Sequence, residues 1–137
     1  MSPLTQSQPD RVGKALIVDD EPIVRRYISA VLRMSGFEVL EAAGAAQALV
    51  AFQASGSDVD LVITDIQMPE MNGCDLAQML LATHPNLPIL LISGSHAASP
   101  ASLPFLQKPF TSASLLGALQ AMLGARRIEA PGRQPSR

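Results

Sequence analysis

The chain has 137 residues, of which 47% are hydrophobic and 16% charged, with a formal net charge of −2 at pH 7. That composition suits a single globular domain with a full core and excludes a disordered chain. The small negative charge gives no basis for direct nucleic-acid binding, and the single cysteine, Cys74, excludes a disulfide framework.

The N-terminus carries no signal-type apolar stretch, and no apolar run approaches the roughly 20 residues that span a bilayer. A cytoplasmic protein is expected. Residues 1–12, rich in Pro, Gln and Ser, read as a flexible leader, residues 13–124 as the folded domain, and residues 125–137 as a flexible tail.

"KALIVDD" is apolar from Ala15 to Val18 and then acidic, which reads as a buried strand. "PIVRRYISAVLRMSG" places Ile23, Val24, Tyr27, Ile28, Val31 and Leu32 at helical spacing, with Gly36 as the stop. "FEVLEA" predicts a strand and "AAQALVAFQAS" an Ala-rich helix. "DLVIT" predicts a fully apolar strand, "GCDLAQMLLATH" a helix closed by Pro85, and "LPILLIS" another strand. "FLQ" is a very short strand. "SASLLGALQAMLG" sets Leu115, Leu116, Leu119, Met122 and Leu123 on one face of a last helix, with Thr111 as its N-cap.

Strict alternation of fully apolar strands with helices argues for a parallel sheet covered on both faces. Right-handed crossovers then predict an α/β, flavodoxin-like, doubly wound five-stranded sheet of order 2-1-3-4-5. In such sheets functional groups collect beyond the carboxyl ends of the strands, at the switch point between strands 1 and 3.

The residues at those ends carry chemistry. Strand 1 ends in Asp19 and Asp20, followed by Glu21; strand 3 ends in Asp65; strand 4 ends in Ser93; Lys108 and Pro109 follow strand 5. Carboxylates crowded into one cleft repel each other unless some protonate or a cation joins them. An all-oxygen acidic site suits Mg²⁺. Asp65 can act as a nucleophile that forms an acyl phosphate. The metal and Lys108 would neutralise charge on the transferred group, and the Ser93 hydroxyl would donate to one of its oxygens.

The pieces "LIVDDEP", "LVITDIQMPEMNG", "LLISG" and "FLQKPF", in this order, resemble the CheY-like receiver domain of two-component response regulators. The resemblance covers roughly Lys14 to Leu123. It implies that Asp65 is the phosphoacceptor, Asp20 a direct metal ligand, and Asp19 a ligand acting through water. Gln67 would give its backbone carbonyl to the metal. Ser93 matches the switch hydroxyl, Lys108 the family's lysine, and Phe105 the aromatic switch position, although Phe105 fits a plain core residue equally well. A cis bond before Pro109 is implied too. The partner would be a histidine kinase or a histidine phosphotransfer protein, with an unidentified protein downstream.

The segment from Ser93 to Lys108, "SGSHAASPASLPFLQK", is short and contains Pro100 and Pro104. Proline disfavours helix interiors, so the helix expected between strands 4 and 5 is short or absent. That argues against a dimer across the face this helix usually forms. The short segment is closer in style to receivers of hybrid sensor kinases, so both a stand-alone regulator and a hybrid-kinase receiver are open.

Bland readings apply elsewhere. Glu21 reads as a helix N-terminal acid, the Gln67 side chain as of little consequence for the metal, His84 and His96 as exposed, and Cys74 as structural. The resemblance also implies that Gln67 and Ser95, two after Asp65 and two after Ser93, take the positions that tune dephosphorylation, and both are polar and uncharged. The rivals are an FMN electron carrier, an aspartyl-phosphate phosphatase, and a degenerate receiver that only binds a partner. The first would need a phosphate loop where "DDEPIV" is acidic, and there is no Trp and one Tyr to stack a flavin. The second would need a further general acid and a cap domain. The third is disfavoured by the intact acids and Lys108.

Overall fold

A computed structural model describes residues 12–55, 58–94 and 103–124. The elements are β1 (Gly13–Val18), α1 (Pro22–Met34), β2 (Phe37–Ala42), α2 (Ala45–Ala54), β3 (Leu61–Asp65), α3 (Gly73–Thr83), β4 (Ile89–Ser93), β5 (Phe105–Gln107) and α4 (Ser112–Leu123). The strands form one parallel sheet of order β2-β1-β3-β4-β5. This is the flavodoxin-like order expected from the alternation of elements. The expectation of a short or absent helix between β4 and β5 falls on residues 95–102, outside the described residues. The same holds for residues 1–11 of the leader expected at residues 1–12, for the tail expected at residues 125–137, and for Ser95 and His96. Val12, the last residue of the expected leader, packs on the core and donates its N–H to Gly36 O.

Alternate side chains of each strand point to opposite faces of a sheet. Ala15, Ile17, Leu61, Ile63, Leu90 and Ile92 therefore share one core with Ile28 and Leu32 of α1 and Leu115 and Leu119 of α4. Leu16, Val18, Val62, Ile89 and Leu91 share the other with Ala45, Ala48 and Phe52 of α2 and Leu76, Ala77 and Leu80 of α3. Both faces are covered, which is why β1, β3 and β4 read as continuous apolar runs rather than alternating ones. Each fully buried Leu or Ile contributes about 1.5–3 kcal/mol over an exposed one. No described helix is long and apolar enough to cross a membrane.

The helix ends follow local chemistry. Pro22 opens α1, where its missing N–H costs nothing. Gly36 follows its C-cap with φ 99°, a left-handed conformation that favours glycine. Thr111 caps α4 as expected, its hydroxyl accepting from Ser114 N while Ser114 Oγ accepts from Thr111 N. Asn72 caps α3 by accepting from Asp75 N.

The apolar stripe of α1 differs from the expected one. Ile28, Val31 and Leu32 are buried, but Ile23 is 76% exposed and Tyr27 is 41% exposed. The stripe is wider in sequence than the strip of helix that the sheet covers. Tyr27 instead packs its ring against Phe110 at a centroid distance of 5.9 Å. His84 differs too: it is half-buried, edge-on to Phe52 and hydrogen-bonded to Thr83 Oγ1.

Ser29 is fully buried on α1, and its hydroxyl has no hydrogen-bond partner. A buried, unsatisfied hydroxyl costs about 1–3 kcal/mol, and Ala is also the better helix former. Ser29→Ala is therefore expected to stabilise the fold by about 1 kcal/mol, read as a higher denaturant midpoint at unchanged slope. An unchanged or lower midpoint would show that the hydroxyl is satisfied in solution.

Candidate functional site

Parallel pairing brings the carboxyl ends of β1, β3, β4 and β5 to one edge of the sheet. Val18 pairs with Thr64, Asp65 with Ile92, and Ser93 with Gln107. The ladder continues past the strands. Asp19 N donates to Ala42 O, Ile66 N to Ile92 O, and Lys108 N to Ser93 O. Asp19, Asp65, Ser93 and Lys108 are thus fixed by backbone hydrogen bonds of neighbouring strands rather than by loop conformation. The Lys108–Pro109 bond is cis, as expected.

Lys108 is the hub. Its Nζ lies 2.9 Å from Glu21 Oε1, 3.3 Å from Asp19 Oδ2 and 3.3 Å from Asp65 Oδ2. Asp19 is fully buried and Asp65 nearly so. Burial favours the neutral form of each acid and raises its pKa. For Asp19 the Glu21 N–H and the Lys108 charge only partly offset this. For Asp65 burial and then the Asp19 charge outweigh Lys108 and the Gln67 N–H, and the pKa rises to about 6. Burial works against the Lys108 charge, but the Glu21 hydrogen bond and the Asp19 and Asp65 charges overcome it. Its ammonium is held above the ordinary lysine range.

Among the described residues, one group of carboxylates lies close enough to share a cation: Asp19, Glu21 and Asp65, with oxygens within 4.8 Å of one another. Asp20 stands outside this group, its side chain exposed on the same loop. Glu21 occupies the N-cap position of α1 but makes no cap bond and turns to Lys108 instead. Reading it as a helix acid alone missed this. The available signal was its place as the third acid of "DDE", directly before a proline that fixes the chain's exit.

Asp19 Oδ1 accepts from Glu21 N, whereas Oδ2 is buried without an aligned hydrogen bond, its 3.3 Å approach to Lys108 being an ion pair only. An all-oxygen donor set with one such buried oxygen fits a hard divalent cation. Arg25 braces the loop, its guanidinium donating to Asp19 O at 2.7 Å and to Glu41 Oε1 at 3.0 Å.

Gln67 is exposed, and its N–H approaches Asp65 Oδ1 at 3.4 Å. Its side chain has a partner within the site: Ser93 Oγ donates to Gln67 Oε1 at 3.1 Å. Phe105 is half-buried and packs against the core beneath α2 and α3. Gly73 opens α3 against the Asp65 backbone, where any Cβ would collide with the Asp65 carbonyl oxygen. Cys74, also on α3, is half-buried, and burial raises its thiol pKa.

Beside Lys108 lies a cleft of about 340 Å³, lined by Val24, Tyr27, Pro109 and Phe110. A larger one, about 470 Å³, lies at the opposite end of the sheet among Val12, Phe37, Asp60 and His84. It lies at the other end of the sheet from Asp19, Glu21 and Asp65.

An acidic cluster with an opposed lysine, at the switch point of a 2-1-3-4-5 sheet, defines a flavodoxin-like domain built around carboxylate chemistry. The response regulator receiver domain model matches residues 15–120, and the chain belongs to that family. It is 36% identical over 115 residues to the sensor kinase CckA of Brucella abortus (strain 2308), an overlap of 79% of this chain and 12% of that protein. It spans 48% of the length of another relative, the probable transcriptional regulatory protein TcrX of Mycobacterium tuberculosis, at 31% identity.

Among solved structures, it is similar to the receiver domain from the hybrid histidine kinase CckA. The TM-score is 0.72 at 32% identity, covering 81% of this chain and 99% of that one. It is also similar to the response regulator TrrA of Thermotoga maritima in complex with Mg²⁺ and BeF. There the TM-score is 0.72 at 29% identity, covering 80% of this chain and 98% of that one.

The raised pKa of Asp65 has a consequence for stability. The folded state holds the Asp65 proton up to about pH 6, whereas an unfolded aspartate releases it near 3.8. Ionised Asp65 therefore destabilises the fold fully above about pH 6, and not at all below about pH 4. Asp65→Asn is expected to be more stable than wild type by about 2–3 kcal/mol at pH 7.5 without divalent metal. The gain should shrink to nothing as the pH falls to 4, as measured by urea denaturation in chelator.

Proposed function

We propose that this chain is a phosphoacceptor that takes a phosphoryl group from the phosphohistidine of a histidine kinase or histidine phosphotransfer protein onto Asp65. The observation that carries this reading is the buried Asp65 carboxylate facing Lys108 across a cluster of acids. An Asp65 pKa of about 6 makes this carboxylate more basic than an ordinary aspartate while leaving it ionised at pH 7.5.

One Asp65 oxygen attacks phosphorus. The O–P bond forms as the P–N bond to the imidazole breaks, and the nitrogen leaves with the bonding pair and takes a proton. Lys108 stabilises negative charge on the phosphoryl oxygens, and Ser93 supplies a hydroxyl for one of them. Asp19, Glu21 and Asp65 would hold Mg²⁺, with the Asp20 carboxylate and the Gln67 carbonyl as further donors on the same two loops. Mg²⁺, when bound, neutralises charge on the phosphoryl group and on the acids around it.

The apolar cleft beside Lys108 borders the site and is where a macromolecular donor would rest. The modified Asp65 then biases the positions of Ser93 and Phe105, and so the surface read by a downstream protein. In this reading the protein is a signalling phosphoacceptor in the cytoplasm, not an enzyme acting on a separate substrate.

With Mg²⁺ and beryllofluoride or acetyl phosphate, the wild-type protein is expected to form a metal-dependent adduct, visible by NMR or intact mass. Asp65→Asn should form none. Labelling of that variant at the wild-type level would overturn the assignment. Lys108→Ala should keep or strengthen Mg²⁺ binding, because it removes a competing cation, yet slow phosphorylation by at least about ten-fold.

A further inference from the structure

The hydrogen bond from Ser93 Oγ to Gln67 Oε1, at 3.1 Å, joins the end of β4 to the loop after β3, 26 residues apart in sequence. Ser93 is fully buried at the end of β4, and Gln67 is exposed two residues beyond Asp65. A serine hydroxyl has one proton to donate. While that proton is given to Gln67, it is not available to an oxygen of a group on Asp65.

The surrounding backbone confines any rearrangement to side chains. Ser93 O is held by Lys108 N at 2.8 Å, and Ile92 O by Ile66 N at 2.8 Å. The hydroxyl can therefore change partner by rotating about χ1 with the strand unmoved. The other end of the bond is tied to Asp65 itself, because Gln67 N approaches Asp65 Oδ1. One residue thus contacts the acid through its backbone and the hydroxyl through its side chain.

We propose that Gln67 is a positioning residue whose side-chain amide holds the Ser93 hydroxyl away from Asp65 in the resting protein and competes for it when Asp65 is modified. The proposal rests on Asp65 being the phosphoacceptor. Breaking the Gln67 bond is then part of the work of switching. Gln67 sets how far the resting equilibrium lies from the switched one, separately from any effect on the metal.

The test uses Gln67→Met, which keeps the length of the side chain and removes the acceptor. Gln67 is exposed, so the variant leaves the core intact. With saturating Mg²⁺, Gln67→Met is expected to bind beryllofluoride about two- to ten-fold more tightly than wild type, the range one neutral hydrogen bond carries. In a Ser93→Ala background the same substitution should change the affinity by nothing measurable, since there is no hydroxyl to compete for. In the resting protein, NMR couplings of Ser93 should show its χ1 rotamers redistributed in Gln67→Met.

Unchanged or weaker binding by Gln67→Met overturns the proposal, as does an equal gain in the Ser93→Ala background. Failure of the wild type to form a Mg²⁺-dependent adduct, or its persistence in Asp65→Asn, overturns the phosphoacceptor reading and this one with it.

Discussion

Lys108 faces three carboxylates at the edge of the sheet, and the rest of the site depends on that contact. Asp19 and Asp65 are buried on neighbouring strands, where two ionised acids without a counter-charge would be costly. The ammonium lies within 3.3 Å of both, and Glu21 completes its surroundings at 2.9 Å. Even so, burial outweighs it for both acids, and their pKa values stay raised. The site is thus incompletely neutralised by the protein's own charges. That residue of negative charge is what a divalent cation would answer, while burial first and the Asp19 charge second make Asp65 basic.

The fold serves this contact by rigidity. The four residues that meet at the site hang from four adjacent strands, and backbone hydrogen bonds extend the ladder past the strand ends to Asp19, Ile66 and Lys108. Cores on both faces hold those strands in place. Close packing extends to the back of the acid, where α3 begins at a glycine because no side chain fits against the Asp65 backbone. Arg25 ties the acidic loop to β2 through Glu41. By contrast, the groups suited to moving are side chains at the rim: the Ser93 hydroxyl, the Gln67 amide and the half-buried Phe105 ring.

Much of this was legible in the chain order of residues. Apolar runs of strand length, separated by helical spacing and closed by Gly36, Pro85 and the Thr111 cap, identify every element described here, because both periodicities and caps are local. The strand order follows from alternation and handedness, and the acids then fall at one end. Glu21 and Gln67 were read less well. Both are polar residues beside a site acid, and a local reading gives them local roles, a helix terminus and a backbone carbonyl. Their actual partners, Lys108 and Ser93, are 87 and 26 residues away. Likewise, the spacing of Ile23 and Tyr27 marks them as apolar but does not say where the sheet stops covering α1.

The sequence by itself determined which residues are buried strand, which are helix, and which acids, hydroxyl and amine stand at strand ends, because each depends on neighbours within a few positions. Only the tertiary structure decided which oxygen faces which donor. Lys108 meets Asp19, Glu21 and Asp65 at once, Asp19 Oδ2 is left without an aligned hydrogen bond, and the Ser93 proton goes to Gln67. The physical reason is that hydrogen bonds and ion pairs act over about 3 Å and depend on direction. Strand pairing brings residues to that range, but side-chain rotamers choose among the partners it offers.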